Sequence, residues 1–188
     1  MTTKNEHSAA DAALGFLYQG QYALLLLWRD GDDDAVIHLE TLDDVVLDTR
    51  GGPILEQLKH SLKANPPAIT IASVPLWKTL KAWIDALPEL DLAHARFHLV
   101  AVAEISHGSP LEALLDDTAD RNDLLAALNE EAKRVMREHK GAIARKATTI
   151  PHADRAVACE AFLALPEDLK EQLLSRAGIK HKQLSTPG

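Results

Sequence analysis

Between Glu40 and His60 the chain reads ETLDDVVLDTRGGPILEQLKH, and the residue types in this stretch look like a metal-dependent centre for cutting phosphodiester bonds. Two short strands are predicted, Asp44 to Asp48 and Ile54 to His60, on either side of the Gly51-Gly52-Pro53 turn. Strand side chains alternate between faces. Asp44, Val46 and Asp48 therefore share a face of the first strand. On the second, Leu55, Gln57 and Lys59 share one face while Glu56, Leu58 and His60 point the other way. A carboxylate on one strand can thus face Gln57 and Lys59 on its neighbour. Whether Asp43 or Asp44 does so depends on the strand register, with Asp44 preferred.

These strands need supports, and the flanking sequence supplies them. Met1 to His7 is polar, and Ser8 is placed to cap a helix over Ala9 to Trp28 whose Leu14, Leu17, Tyr18, Tyr22, Leu25 and Leu26 recur at helical spacing. Gln19 and Gln21 read as solvated positions on it. Val36 to Glu40 is a short strand leading into the central stretch. After the stiff Asn65-Pro66-Pro67 loop, Ser73 is a candidate N-cap for a helix with Pro75 in its first turn and Leu76, Leu80, Trp83, Ile84 and Leu87 inward. Trp77 is read as core too. Ala95 to Ile105 is an apolar interior strand, in which His98 reads as a hydrogen-bonded structural residue. Helices follow at Pro110 to Asp116, Asp120 to Lys140, Asp154 to Leu165 and Glu167 to Ala177, and the tail from Lys180 is expected to be loose.

Composition limits the function. A chain of 188 residues with 46% hydrophobic content suits one domain. Its longest apolar run, Tyr22 to Trp28, is far short of the roughly 20 residues a membrane helix needs. The N-terminus lacks a signal-peptide layout, so a cytoplasmic location without membrane contact is expected. Cys159 is the only cysteine, which excludes an internal disulfide and a thiolate zinc cluster. A net charge of -8 argues against coating nucleic acid by bulk electrostatics, so any DNA contact must be local. An acidic pocket that takes up a divalent cation inverts its own sign.

The order helix, three strands, helix, strand, with an acid on the second strand and Q-x-K on the third, resembles the restriction-endonuclease-like, or PD-(D/E)XK, superfamily. More narrowly, GFLYQGQYALLLL at Gly15 to Leu27, LETLDD at Leu39 to Asp44, EQLKHS at Glu56 to Ser61 and LWKTLKAW at Leu76 to Trp83 are similar to the nuclease domain of CBASS-associated anti-phage double-stranded DNA endonucleases and related defence effectors. The resemblance implies an α/β fold with an αβββαβ core, a mixed central sheet flanked by helices and a C-terminal helical extension. It places the nuclease core at residues 1–107, the extension at 108–179 and the tail at 180–188.

The same resemblance implies a Mg²⁺-dependent endonuclease, with Mn²⁺ as a substitute, and catalytic roles for Asp44, Gln57 and Lys59. Asp44, Gln57, the backbone carbonyl of Leu58 and a second carboxylate from Glu40 would hold the cation. Gln57 departs from the majority pattern, which has Asp or Glu there, but an amide oxygen still suits a hard cation. Lys59 would stabilise charge developing on the phosphate. Lys78 and Lys81 on the following helix are candidate DNA contacts, as is the basic group Lys133, Arg134, Arg137 and Lys140, whose plainer reading is a solvated helix end. Double-stranded DNA is the expected partner. Related effectors carry a sensing domain after the nuclease, so a sensor elsewhere in a longer chain, a partner protein or self-association is expected to activate it. The competing reading is an inactive nuclease-fold scaffold within a defence complex.

Overall fold

The computed structural model describes residues 17, 19–29, 34–41, 44–59, 66–101 and 103–181, with the backbone alone at 40, 41, 44, 59 and 181. Ser8, Leu14, Tyr18, Asp43, His60 and the tail beyond His181 lie outside the described residues. Helix α1 occupies residues 19–29. Strands β1 (Val36–Thr41), β2 (Asp44–Thr49) and β3 (Gly52–Lys59) follow, then α2 (Val74–Ala86) and β4 (Arg96–Ala101). The chain closes with α3 (Asn122–Ala144), α4 (Ala156–Ala164), α5 (Glu167–Ser175) and β5 (Ala177–His181). The five strands form one mixed sheet in the order β1-β2-β3-β4-β5. β1, β2 and β3 pair antiparallel, whereas β3, β4 and β5 pair parallel.

The two sheet faces carry separate cores because strand side chains alternate. Tyr22 from α1 packs with Val45, Leu58 and Val100, with Leu26 and Ile37 at the margin. The buried side of α1 is thus Gln19, Tyr22 and Ala23, while Leu17 is 66% exposed. This corrects two expectations: Leu17 is not an inward position, and Gln19, at 1% exposure, is not a solvated one. The larger core joins Phe97, Leu99, Ala101, Ala177 and Ile179 to residues of α2, α3, α4 and α5. Trp83 of α2 meets Phe97 at 5.6 Å between ring centroids, and Trp77 meets Phe162 of α4 edge-on at 5.8 Å. Such aromatic pairs add about 0.5–1.5 kcal/mol beyond the area they bury.

Helix ends differ in detail from the sequence reading. Ser73 occupies the N-cap position of α2, but its hydroxyl makes no cap bond. It accepts instead from the Thr70 backbone N–H at 2.9 Å, closing the turn that leads into the helix. Pro110–Leu115 winds as a 3₁₀-helix rather than an α-helix. Arg155, 6% exposed, ties the start of α4 to its surroundings: it bonds the Ala72 carbonyl, the Glu131 carboxylate at 2.9 Å and His152 Nδ1 at 3.1 Å.

The largest difference concerns the C-terminal part. It is not wholly helical, since β5 extends the sheet beside β4 and reaches Lys180 and His181, where a loose tail was expected to begin. Five residues with Gly178 in second place carry little strand signal of their own. Pairing with a buried neighbour supplies the rest, which is how tertiary context overrides propensity. No helix among the described residues is long and apolar enough to cross a membrane.

The β2–β3 hairpin depends on one glycine. Gly52 has a φ of +108°, and a Cβ there would stand 2.5 Å from the His94 carbonyl oxygen, a backbone atom that cannot swing aside. Gly51 faces no such constraint; its nearest contact would be Thr49 Oγ1 at 3.5 Å. Gly52→Ala should therefore lower stability by about 1–3 kcal/mol, whereas Gly51→Ala should stay within about 0.5 kcal/mol. Denaturant unfolding of the two variants side by side checks this, and equal midpoints would contradict it.

Candidate functional site

The ladder between β2 and β3 places Asp44 directly opposite Gln57. Positions 44 and 57 thus stand on the same sheet face, and position 59 lies two residues further along it. Leu55 pairs with Phe97 and Gln57 with Leu99 on the parallel side, so this face is laid against α2 by its apolar neighbours. β3 runs beyond the pairing with Asp44: Leu58 and Lys59 have ladder partners in β4, Val100 and Ala101. On β1 the register shifts between Leu39, paired with Val45, and Thr41, paired with Asp44. Glu40 is the extra residue of a β-bulge, a device that breaks regular pairing and re-aims the chain.

Gln57 is 5% exposed and lines a cavity of about 350 Å³ between the sheet and α2, together with Val46, Leu55, Trp83, Asp85 and Glu89. Asp85 and Glu89 bring carboxylates to the cavity that the sequence reading did not single out. Their signal was present, since Asp85 follows Lys81 by one helical turn, but only the lysines of α2 were read as functional. The Trp83 indole N–H, buried in the cavity wall, has no hydrogen-bond partner among the described residues. Among the described residues no group of three or more His, Cys, Asp or Glu side chains is gathered to hold a metal ion. The Gln57 amide and the Asp85 and Glu89 carboxylates bring oxygen atoms to this cavity, with the backbone position of Asp44 opposite Gln57 and that of Glu40 in the bulge one strand further away.

The expected DNA contacts separate. Lys78 is exposed on α2. Lys81 is bound to the Asp85 carboxylate one turn on. Much of the basic group on α3 is engaged within the protein: Lys133 pairs with Glu130, Arg134 with Glu131 and Glu138, and Lys140 with Glu160. Leu58 is buried on the α1 side of the sheet.

The opposite face of β3 holds a second polar group. Glu56, next to Gln57 but pointing the other way, is 1% exposed. Its Oε1 accepts from His98 Nδ1 at 3.2 Å and from Lys180 Nζ at 3.4 Å. Glu56 and His98 are direct ladder partners, so the contact follows from the register. Burial alone would push the Glu56 carboxyl up, but hydrogen bonds from His98 and Tyr22 and the Lys180 charge outweigh it and hold the group below the usual glutamate range. His98 is the hydrogen-bonded structural residue the sequence suggested; its partner was not foreseen.

These elements define an α/β protein built on a five-stranded mixed sheet with helices packed on both faces. Comparison of the chain with models of known protein families, with curated proteins and with solved structures finds no match.

A depressed folded-state pKa has a definite sign. The stability Glu56 contributes is fully present above its unfolded value, near 4.5, and is lost as pH falls through the lower folded value. Glu56→Gln, which keeps the shape without the charge, should therefore show a shallower fall in melting temperature between pH 6 and pH 3 than wild type. Thermal melts across that range test this, and parallel curves would contradict it.

Proposed function

We propose that this chain is a Mg²⁺-dependent endonuclease domain of the PD-(D/E)XK type, cutting double-stranded DNA in prokaryotic anti-phage defence as the effector part of a larger protein or complex in the cytoplasm. The observation that carries this reading is the ladder pairing of Asp44 with Gln57, with Lys59 two residues further along the same strand face. That is the relation the resemblance requires and that sequence left open between Asp43 and Asp44. The αβββαβ order, the mixed sheet and the bulge at Glu40 are consistent with it.

In this reading Asp44, Gln57, Glu40 and the Leu58 carbonyl would hold Mg²⁺ or Mn²⁺, which supplies Lewis acidity and a more acidic water when bound. The protein's own contribution is to hold the Gln57 amide in place by burial against α2. Lys59 stabilises negative charge that appears on the phosphate only in the transition state. Lys78, exposed on α2, is available to a DNA backbone, whereas Lys81 must first leave Asp85. A sensor domain, a partner protein or self-association provides the activating signal.

The decisive experiment is a plasmid-nicking assay with wild type, Asp44→Ala and Lys59→Ala, with melting temperatures measured alongside. Cutting should need Mg²⁺ or Mn²⁺, stop with a chelator, and fall by at least about 100-fold in Lys59→Ala, the scale of a lost transition-state charge partner. A folded Lys59→Ala protein that cuts as wild type does would end the assignment. Because activation is expected to require association, the assay is run with the protein both free and tethered as a dimer. Absence of cutting in every wild-type form favours the scaffold reading.

A further inference from the structure

The sheet face opposite positions 44 and 57 carries an arrangement that the proposed nuclease chemistry does not use. Arg96 and His98 alternate along β4, and Arg176, Gly178 and Lys180 alternate on the neighbouring chain segment, with His98 directly opposite Gly178 in the ladder. This places four basic side chains around a residue that has none. A Cβ at Gly178 would touch His98 Cδ2 at 3.6 Å and Asp117 Oδ1 at 3.7 Å. The glycine therefore keeps open the floor between an imidazole edge and a carboxylate. Two cavities meet there, both lined by His98 and Asp117. The smaller, about 170 Å³, adds Arg96, Arg176 and Ser175, and the larger, about 440 Å³, adds Leu114, Leu115, Lys180 and Asp116, whose carboxylate is engaged by Thr118.

The charges in this groove are unevenly committed. Glu56 is buried and engaged by His98 and Lys180, while the charge of Asp117 acts on Arg121. The Arg96 and Arg176 guanidinium groups have no side-chain hydrogen bond or ion pair among the described residues. As an ionised carboxylate only accepts hydrogen bonds, Glu56 fixes the proton of the shared bond on His98 Nδ1. His98 Nε2 makes no hydrogen bond among the described residues. Two unpaired guanidinium groups suit a phosphate group, since guanidinium donors match its oxygens in pairs. Leu114 and Leu115 offer apolar surface next to it, the usual composition of a small-ligand pocket.

We propose that this groove binds a small organic phosphate, its phosphate on Arg96 and Arg176 beside His98 in the smaller cavity and its organic part against Leu114 and Leu115 in the larger. The site is separate from the nuclease reading and does not depend on it.

The probes are inorganic phosphate and phenyl phosphate, titrated into the full chain at low ionic strength by calorimetry, with the ¹⁵N signals of the His98 ring followed by NMR. Both should saturate and shift the His98 signals, with phenyl phosphate binding several-fold tighter. Arg96→Gln with Arg176→Gln, two exposed positions, should weaken both probes at least about tenfold. Gly178→Ala makes only ordinary van der Waals contacts and should fold, yet it should weaken both probes by narrowing the floor. Lys59→Ala should bind phenyl phosphate as wild type does, whatever its effect on DNA cutting. No saturation by wild type, unchanged affinity in the folded double arginine variant, or phenyl phosphate no tighter than phosphate would overturn the proposal.

Discussion

The register of β3 is the constraint on which the other features rest. Glu56 and Gln57 are consecutive, both are almost wholly buried, and alternation sends them to opposite faces of the sheet. A slip of one residue would put the Glu56 carboxylate against the apolar helices α2 and α4 and leave His98 and Lys180 without it. An unpaired buried charge costs several kcal/mol, so the slipped sheet is strongly disfavoured. Gly52 sets the start of the same strand by allowing the close approach to His94. The strand is thereby held at one end by a backbone contact and in its middle by a hydrogen-bonded carboxylate.

This explains how one strand serves two chemically different surfaces. Towards α2 it presents an amide opposite the backbone position of an aspartate, next to a cavity with further carboxylates. Towards α1 and the C-terminal strand it presents a carboxylate surrounded by an imidazole, a phenol and an ammonium. The first arrangement brings an amide and two carboxylates to one cavity. The second is a compensated ion cluster. A buried cluster of this kind adds little net stability compared with a well-packed apolar alternative, but any register that separates its members loses its hydrogen bonds. Its effect is on specificity of pairing more than on total stability.

Charge elsewhere in the molecule follows the same economy. In a chain of net charge -8, Lys133, Arg134 and Lys140 of α3 are taken up by nearby carboxylates, and Arg155 is buried as a link between α4, α3 and the turn before α2. Exposed pairs of this sort are worth little individually. They do decide which cations remain available to a ligand. Lys78, Arg96 and Arg176 are exposed, and Arg96 and Arg176 line one cavity.

Much of this architecture was legible in the sequence because it rests on local periodicity. Alternation predicted β2, β3 and the faces of Gln57 and Glu56, and helical spacing predicted the inward set Leu76, Leu80, Trp83, Ile84 and Leu87, of which the first three are buried and the other two pack partly buried against the core. What sequence alone did not determine depends on pairing between distant segments. The choice of Asp44 as the ladder partner of Gln57 is a register between two strands, which period-two alternation leaves ambiguous by one residue. Strand β5 exists because β4 offers it a parallel edge, not because AGIKH has strong strand propensity. The burial of Gln19, the commitment of Lys81 to Asp85 and the meeting of Glu56 with His98 and Lys180, 42 and 124 residues away, were likewise decided only when the layers closed. Propensity and period act within a few residues, whereas a buried polar contact is selected by the free energy of the whole packed arrangement.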